Sequence, residues 1–261
     1  MRSLNIAATG MLAQQLNVEV ISNNIANLNT TAFKRQRAEF QDLLYENQRR
    51  AGANSSDNGT VVPVGVDVGT GVKAAAVYRI TQQGTLLKTD NPLDLAISGR
   101  GYFQVLMPDG TTAYTRAGSF QLSPTGEIVT ADGYVVQPGI TLPSNTVAVS
   151  VNPSGQVLAE IAGQSAQQTI GTFQLATFPN EAGLEQLGGN LLKETQASGT
   201  AATGNPGSTG FGQLQQGFLE TSNVNVVSEI TNLITAQRAY EMNSKVIQVS
   251  DDMASALTQI R

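Results

Sequence analysis

The sequence predicts an α+β fold, in which long helices at the two chain ends pair as an antiparallel coiled coil around an inserted, central all-β domain. Three observations support this prediction. Apolar residues recur at helical spacing over residues 1–30 and again over residues 224–261, and closely spaced turn signals separate short apolar runs between these zones. Steps of three and four make one face of a helix, whereas turns between short β-rich runs make hairpins.

The N-terminal zone contains a heptad pattern. Leu4, Met11, Val18 and Ile25 recur at intervals of seven residues, and Ile21 falls at an intervening position. Heptad spacing aligns these side chains along one apolar seam of a helix, as in a coiled coil. We therefore expect the seam to contact other helices.

The predicted N-terminal helix is almost without charge. Between residues 1 and 33 the only charged side chains are Arg2 and Glu19. A helix exposed to water normally presents Lys and Glu four residues apart, so neutral polar flanks fit a helix surrounded by other protein. We expect the neighbours to be other copies of this chain. The alternative is an isolated coiled coil with an unusually uncharged surface.

The central zone divides into an extended linker or β-hairpin segment over residues 31–71 and a β-rich domain over residues 72–223. Turn signals in the second part include residues 108–110, 123–126 and 152–155, and short β-forming runs separate them. Glycine, proline, asparagine and aspartate favour tight turns for different steric reasons. Their close spacing predicts hairpins and a meander.

The C-terminal zone is the second predicted helix. No glycine or proline follows Gly217, and Glu229 lies where the first turns of a helix favour an acidic side chain. Apolar residues again recur at steps of three, four or seven. Those that we expect to contact other helices are Val226, Ile230, Leu233, Tyr240, Ile247, Met253 and Leu257.

The composition excludes several kinds of chemistry. The chain has no Cys and no His, and only 13% of its residues are charged. Without Cys there is no disulfide framework, thiol nucleophile or thiolate metal site, and without His the Ser-His-Asp triad and zincin sites are excluded. We predict no catalytic, cofactor-binding or metal-binding residues, and hence no enzyme.

Nucleic acid and membrane are also poor candidates for partners. The net charge is −5, whereas phosphate binding needs a basic surface. The apolar runs are far shorter than the roughly 20 residues that span a bilayer, so no direct membrane insertion is expected. The N-terminus also lacks the hydrophobic stretch of a cleavable signal peptide.

Short motifs in the β-rich zone have structural explanations. The glycine-rich run at residues 65–73 places its lysine where a phosphate-binding loop cannot use it, and Gly99-Arg100-Gly101 lacks the third glycine of a dinucleotide site. The carboxylate pair Asp90 and Asp94 has the composition of a glycosidase site, but no pattern puts it in a cleft. We read these segments as strand connections and turns.

Strings in three parts of the chain resemble a known family. Residues 22–35, which read SNNIANLNTTAFKR, resemble the N-terminal signature of the bacterial flagellar rod and hook proteins. Ala32 stands where that signature usually has glycine, and this difference weakens the expectation of a positive φ there. Residues 219–229 and 237–247 look like the family's C-terminal helix, and residues 93–103 and 114–120 resemble its shared β domain. The signature residues that the resemblance selects are Asn23, Asn24, Asn27, Asn29, Thr30, Phe33 and Lys34.

The resemblance implies a structural subunit rather than a catalyst. The length of 261 residues, the SNVNVV run before the C-terminal helix and the segment 45–71 favour the distal rod over the hook. A sister rod protein or a hook protein of the same family is the alternative. From different classes, an adhesin or fibre-like β protein and a carbohydrate-active β protein remain as alternatives.

Membership of this family implies a particular assembly. The terminal helices would form the inner tube of a homopolymer, residues 72–223 its outer wall, and residues 46–71 a contact between neighbours associated with straightness. Partners would be the proximal rod subunits, the hook, the surrounding basal-body rings and the flagellar export apparatus, which delivers subunits to the periplasm without a cleavable signal. No cofactor is implied.

Overall fold

A computed structural model describes residues 2–52, 63–164 and 166–259, with the backbone alone at 257–259. The fold is α+β, with a helix towards each end of the chain and β-structure between them. Helix α1 is Arg2–Ala26 and helix α2 is Val226–Gln259. Helix α1 ends four residues before the predicted bound, and the chain then turns. Asn225 caps α2, because its side-chain oxygen accepts the backbone N–H of Ser228 at 3.1 Å.

The strands are short and follow one another closely. The first four are β1 (Gln36–Asp42), β2 (Tyr45–Arg49), β3 (Val66–Gly69) and β4 (Val72–Arg79). The others are β5 (Leu86–Lys88), β6 (Leu95–Ser98), β7 (Tyr102–Leu106), β8 (Thr112–Thr115), β9 (Gln121–Leu122), β10 (Ile128–Val129), β11 (Val135–Val136), β12 (Thr146–Val151), β13 (Gln156–Ile161), β14 (Gln168–Thr172), β15 (Leu175–Thr177), β16 (Glu185–Gly188), β17 (Leu191–Lys193), β18 (Ala202–Gly204), β19 (Gln213–Gln216) and β20 (Phe218–Glu220). A 3₁₀ turn covers Glu181–Gly183.

The chain forms two compact units. The terminal unit comprises Met1–Ala26, Gln36–Arg79 and Asn225–Arg261, and the central unit comprises Asn27–Arg35 and Ile80–Val224. The terminal unit therefore contains β1 to β4 as well as both helices.

Two antiparallel strand pairs accompany the helices in the terminal unit. Strand β1 pairs with β4, from Gln36 opposite Arg79, and β2 pairs with β3. The turn before β4 packs tightly on α1, since a Cβ added to Gly71 would lie 2.2 Å from the Thr9 hydroxyl oxygen. The same hydroxyl accepts the backbone N–H of Val72 at 3.3 Å. These contacts hold the β1–β4 pair against the N-terminal helix.

The two helices of the terminal unit contact each other in antiparallel order. Contacts that lie further along α1 have partners that lie earlier along α2. The contacts are Ser3 with Ser250 (3.2 Å between hydroxyl oxygens), Gly10 with Asn243 (2.9 Å between an added Cβ and the amide nitrogen) and Asn24 with Glu229 (3.0 Å). These three contacts define the antiparallel order of the helix pair.

The central unit is built on an antiparallel sheet in the order β16-β17-β8-β7-β11-β10-β9, with β15 joining β7 to β18. Smaller sheets are β12-β13-β14, β19-β6 and β20-β5. Phe103, Phe120 and Phe173 are fully buried at the centre, and the first two meet edge to face at 5.0 Å between ring centroids. A buried aromatic ring of this kind contributes about 1.5–3 kcal/mol. The predicted turns at Gly110, Gly126 and Gly155 are confirmed, each with positive φ.

Ala32 has the left-handed backbone expected of the glycine that it replaces. Its φ is +57°, its side chain is buried, and its N–H donates to the carbonyl of Glu220 at 2.8 Å. From the sequence, the alanine at position 32 weakened the expectation of a positive φ there, and that interpretation is wrong. Because the turn and this hydrogen bond hold the backbone, the alanine accepts a strain of about 1–2 kcal/mol.

We predict that Ala32→Gly does not destabilise the protein. Relief of left-handed strain offsets the loss of one buried methyl, which alone costs about 0.8 kcal/mol. Urea denaturation should give a free energy of unfolding within about 1 kcal/mol of the wild type. The matched change Ala13→Gly, at a buried position inside α1, should cost more, since glycine also weakens a helix by about 1 kcal/mol. An equal loss in both variants would contradict the strain assigned to Ala32.

Candidate subunit-interaction site

The predicted seam of α1 lies beside its line of contact with α2. Ser3, Gly10 and Asn24 contact α2, and each lies one position before a heptad residue. Of the predicted residues, Ile21 is buried. The half-buried ones are Leu4, Met11, Val18 and Ile25. Gly10 lets the two helix backbones approach closely at its position, and the half-buried heptad residues lie one position away from this line.

The predicted residues of α2 are less covered than those of α1. Leu233 and Ile247 are half-buried. The exposed ones are Val226, Ile230, Tyr240 and Met253. The side chain of Leu257 lies outside the described residues. The role of these residues in contacts between subunits remains a prediction.

Helix α2 also presents a row of exposed apolar side chains, of which the sequence analysis selected only Ile230 and Met253 as interaction residues. Its members follow one another at steps of three and four, with Arg238 as the single interruption. Their exposed fractions run from 45% to 75%. This row, which we name the outer stripe, consists of Val227, Ile230, Ile234, Met242, Val246, Val249 and Met253. The interrupting arginine hid the periodicity, but the spacing on either side of it is a usable signal.

Asn24 of the N-terminal signature joins three elements of the terminal unit. Its side chain is 1% exposed. Its amide oxygen accepts the N–H of Gln36 at 2.8 Å, and its amide nitrogen donates to the carbonyl of Gln36 at 2.9 Å and to the buried carboxylate of Glu229 at 3.0 Å. The signature asparagine thereby binds the first residue of β1 and a residue of α2.

Lys34 of the same signature belongs to a buried charge cluster in the central unit, which we define as Lys34, Arg116 and Glu220. The Lys34 ammonium pairs with one oxygen of Glu220 and donates to the carbonyl of Gln82 at 3.0 Å. The Arg116 Nε donates to the other oxygen at 2.6 Å. The Gly84 backbone N–H also donates to the Glu220 carboxylate, at 2.8 Å.

The arginine of this cluster is almost fully hydrogen-bonded. Besides Glu220, the Arg116 guanidinium donates to the carbonyls of Gly101 at 3.0 Å and Gly99 at 2.5 Å. One carboxylate cannot neutralise two cations. The carbonyl dipoles stabilise the positive charge that remains. Burial alone would raise the pKa of Glu220, but Arg116 and Lys34 outweigh it and hold that pKa below its ordinary value.

Asn223 connects three segments of the same region through its side-chain amide. Its amide oxygen accepts the N–H of Arg35 at 2.7 Å, and its amide nitrogen donates to the carbonyls of Ile80 and Gln82, both at 2.9 Å. The sequence reasoning quoted Asn223, Arg116 and Glu220 within its strings but not as site residues. Their separation along the chain left no local pattern that could pair them.

The other signature residues shape the turn after α1. Thr30 donates to the side chain of Asn27 at 3.1 Å, and the N–H of Phe33 donates to the carbonyl of Thr30 at 3.2 Å. Asn23 and Asn29 are exposed. These residues therefore hold the segment that places Lys34 in the cluster.

The described residues contain no group of three acidic side chains that could hold a metal ion. Within those same residues, neither helix is long and apolar enough to cross a membrane. What the described surface offers is apolar helix area, which is typical of protein contacts.

Three protein-family models match separate parts of the chain. "Flagella basal body rod protein" matches residues 4–34, "Flagellar hook protein FlgE/F/G D1 domain" matches residues 96–159, and "Flagellar basal body rod FlgEFG protein C-terminal" matches residues 215–260. The first contains the signature, and the last begins just before Glu220. These matches overlap the strings in the three parts of the chain that suggested the family.

Full-length relatives extend the similarity to the whole chain. The chain is 61% identical over 261 residues to the flagellar basal-body rod protein FlgG of Caulobacter vibrioides, with 100% of both chains covered. It is 50% identical to that of Agrobacterium fabrum, with 99% of both covered. It is 38% identical to that of Bacillus subtilis, with 100% of this chain and 99% of the relative covered.

Proposed function

This chain belongs to the FlgG family of flagellar basal-body rod proteins and is a structural subunit of that rod, and from this premise we propose how it assembles. Copies polymerise through their terminal helices into a rigid helical tube, the distal rod. The tube crosses the periplasm and transmits motor torque to the hook. Torque transmission needs many contacts per subunit rather than a reactive group, so the subunit acts without catalysis and without a cofactor.

The outer stripe of α2 is the observation that supports this proposal most directly. Its side chains are exposed in a single chain although they are large and apolar, as at Val227 and Met242. Burying such a side chain contributes up to about 1.5–3 kcal/mol, and a second copy of the chain is the partner that a homopolymer supplies. The predicted interaction residues that flank the α1–α2 contact line, such as Leu4 and Tyr240, would add to the same interfaces.

The helix pair is proposed to form the inner tube. We infer that α1 and α2 pair as an antiparallel coiled coil in each subunit and that neighbouring pairs pack side by side. The near absence of charge on α1, where Arg2 and Glu19 are the only charged side chains, fits a helix enclosed by protein. The domain division proposed from the sequence gives residues 72–223 the outer wall.

The partners proposed for the subunit follow from its place in the rod. They are the proximal rod subunits, the hook, the basal-body rings and the export apparatus that delivers the chain. Residues 46–71, of which 53–62 lie outside the described residues, are proposed to lie between neighbouring subunits and to stiffen the tube. Strands β2 and β3, at the ends of this segment, form an isolated pair, and such pairs are marginally stable without further contacts.

Ile234→Asp tests this proposal. Because Ile234 is exposed in the single chain, the variant should fold as the wild type does, while a charge at the interface should abolish polymerisation. The concentrated protein is examined by sedimentation and electron microscopy, with Gln237→Asp as the matched control on an exposed part of α2 outside the outer stripe. Straight tubes from the wild type and the control, but none from Ile234→Asp, are expected. Normal tubes from Ile234→Asp would refute the role of the stripe, and curved tubes would favour the hook alternative.

A further inference from the structure

Strand β12 is an edge strand that has the composition of an association site. It lies at the end of the sheet β12-β13-β14. Its sequence, TVAVSV, contains no charged residue, and the side chain of Val147 is 70% exposed. Uncharged edge strands rich in β-branched residues are templates for pairing with another chain. A protein that must assemble in one specific way therefore needs this edge closed.

The side chain of Gln216, at the end of β19, binds the backbone of this edge. Its amide oxygen accepts the N–H of Val151 at 3.0 Å, and its amide nitrogen donates to the carbonyl of Val149 at 2.9 Å. The nitrogen also donates to the carbonyl of Pro92 at 2.8 Å. The amide therefore uses both of its N–H groups and its oxygen, and two of the three bonds are to β12.

We propose that Gln216 closes the edge of β12 against strand addition by a second copy of this chain. An added strand would have to bond the carbonyl of Val149 and the N–H of Val151, and the Gln216 amide already bonds both. The third bond, to Pro92, orients the amide, so opening the edge would leave several polar groups without partners at once. This role is independent of the helix contacts proposed for the rod.

The rest of the sheet is protected in other ways. The register of β12 against β13 shifts between Thr146 and Ala148, which is a bulge at the exposed end of the strand. The opposite edge, β14, contains Gly171, and its register against β13 also shifts. Bulges and glycine weaken strand edges as templates. The regular stretch from Val149 to Val151 is the part that needs a side chain to cover it.

Gln216→Leu is the variant that tests the proposal, with Gln215→Leu, at an exposed position of the same strand, as the matched control. We expect Gln216→Leu to self-associate in sedimentation velocity at concentrations where the control behaves as the wild type. Amide exchange at Val151 should accelerate about fivefold to tenfold, as the loss of a hydrogen bond implies. Circular dichroism checks the fold. If Gln216→Leu does not fold, Gln216→Asn, one methylene too short to reach both groups, takes its place.

A second substitution identifies the surface involved. Adding Val147→Lys to Gln216→Leu places a charge on the opened edge and should restore the sedimentation of the wild type. Association that Val147→Lys does not suppress would overturn the proposal, because it would occur elsewhere. Unchanged sedimentation of Gln216→Leu would overturn it as well. A failure of the rod proposal would appear instead in the Ile234→Asp experiment, which alters no residue of β12.

Discussion

Glu220→Gln is expected to destabilise the central unit by about 3–5 kcal/mol, which is the usual cost of removing one partner of a buried ion pair. The side chain of Glu220 is fully buried, and those of Lys34 and Arg116 are 8% and 7% exposed. Glutamine has nearly the same shape, so packing is retained while two buried cations lose their counter-charge. The free energy of unfolding by urea measures the loss.

An exposed ion pair is the matched control. Arg2 and Glu46 pair at 2.6 Å, but both side chains are about half exposed, at 52% and 51%. Glu46→Gln removes the same charge and should cost less than about 1 kcal/mol, because water screens the pair. Equal losses from the two substitutions would show that burial of the cluster does not determine its contribution.

Glu220→Gln should also change how the stability of the protein depends on pH. The pKa of Glu220 is lower in the folded protein than its ordinary value of 4.5. The unfolded chain therefore binds the proton more readily, so this group's stabilisation is fully present above the ordinary pKa and is lost as the pH falls through the folded pKa. Glu220→Gln should flatten the corresponding part of the acid-denaturation curve. A slope identical to the wild type below pH 4.5 would exclude Glu220 as its source.

Local patterns predicted the helices and turns of the fold. Contacts between residues far apart in sequence could not be predicted in the same way. The heptad of Leu4 and Met11 predicted α1, because helical periodicity is present in the sequence itself. It did not predict which face meets α2. That face contains Gly10, where the two backbones approach closely, and the heptad residues lie beside it.

The buried charge cluster marks a second limit of the sequence. Lys34 and Glu220 are 186 residues apart, and Arg116 is 104 residues from Glu220. Nothing in the neighbourhood of any of them indicates that it is buried. Resemblance to a family selected the strings that contain them, but only the fold brings these charges together.

A disulfide between Ser3→Cys and Ser250→Cys is expected to form readily and to stabilise the helix pair by about 5 kcal/mol. The two hydroxyl oxygens are 3.2 Å apart, and the residues are separated by 247 positions in sequence. Cross-linking so long a loop removes a large chain entropy from the unfolded state. The chain has no native Cys, so no other disulfide competes. Thermal unfolding of the oxidised and reduced forms measures the difference.

The pair Ser3→Cys and Asn243→Cys is the control for register. Asn243 contacts Gly10, two turns along α1 from Ser3, so these sulfurs would lie about 10 Å apart in the helix pair and should not join. Efficient oxidation of the control would mean that the helices slide or separate in the free chain. In that case the antiparallel contacts would describe one arrangement among several.

The oxidised Ser3→Cys, Ser250→Cys protein also distinguishes two ways in which subunits could combine in the rod. If each subunit keeps its own helix pair in the rod, the cross-link removes part of the entropy cost of ordering the ends, and tubes should form at least as readily as from reduced protein. If α1 of one copy pairs with α2 of another, the cross-link should block assembly and a reductant should restore it. The exposed outer stripe favours the first result, because its apolar surface is available for neighbours while α1 and α2 remain paired.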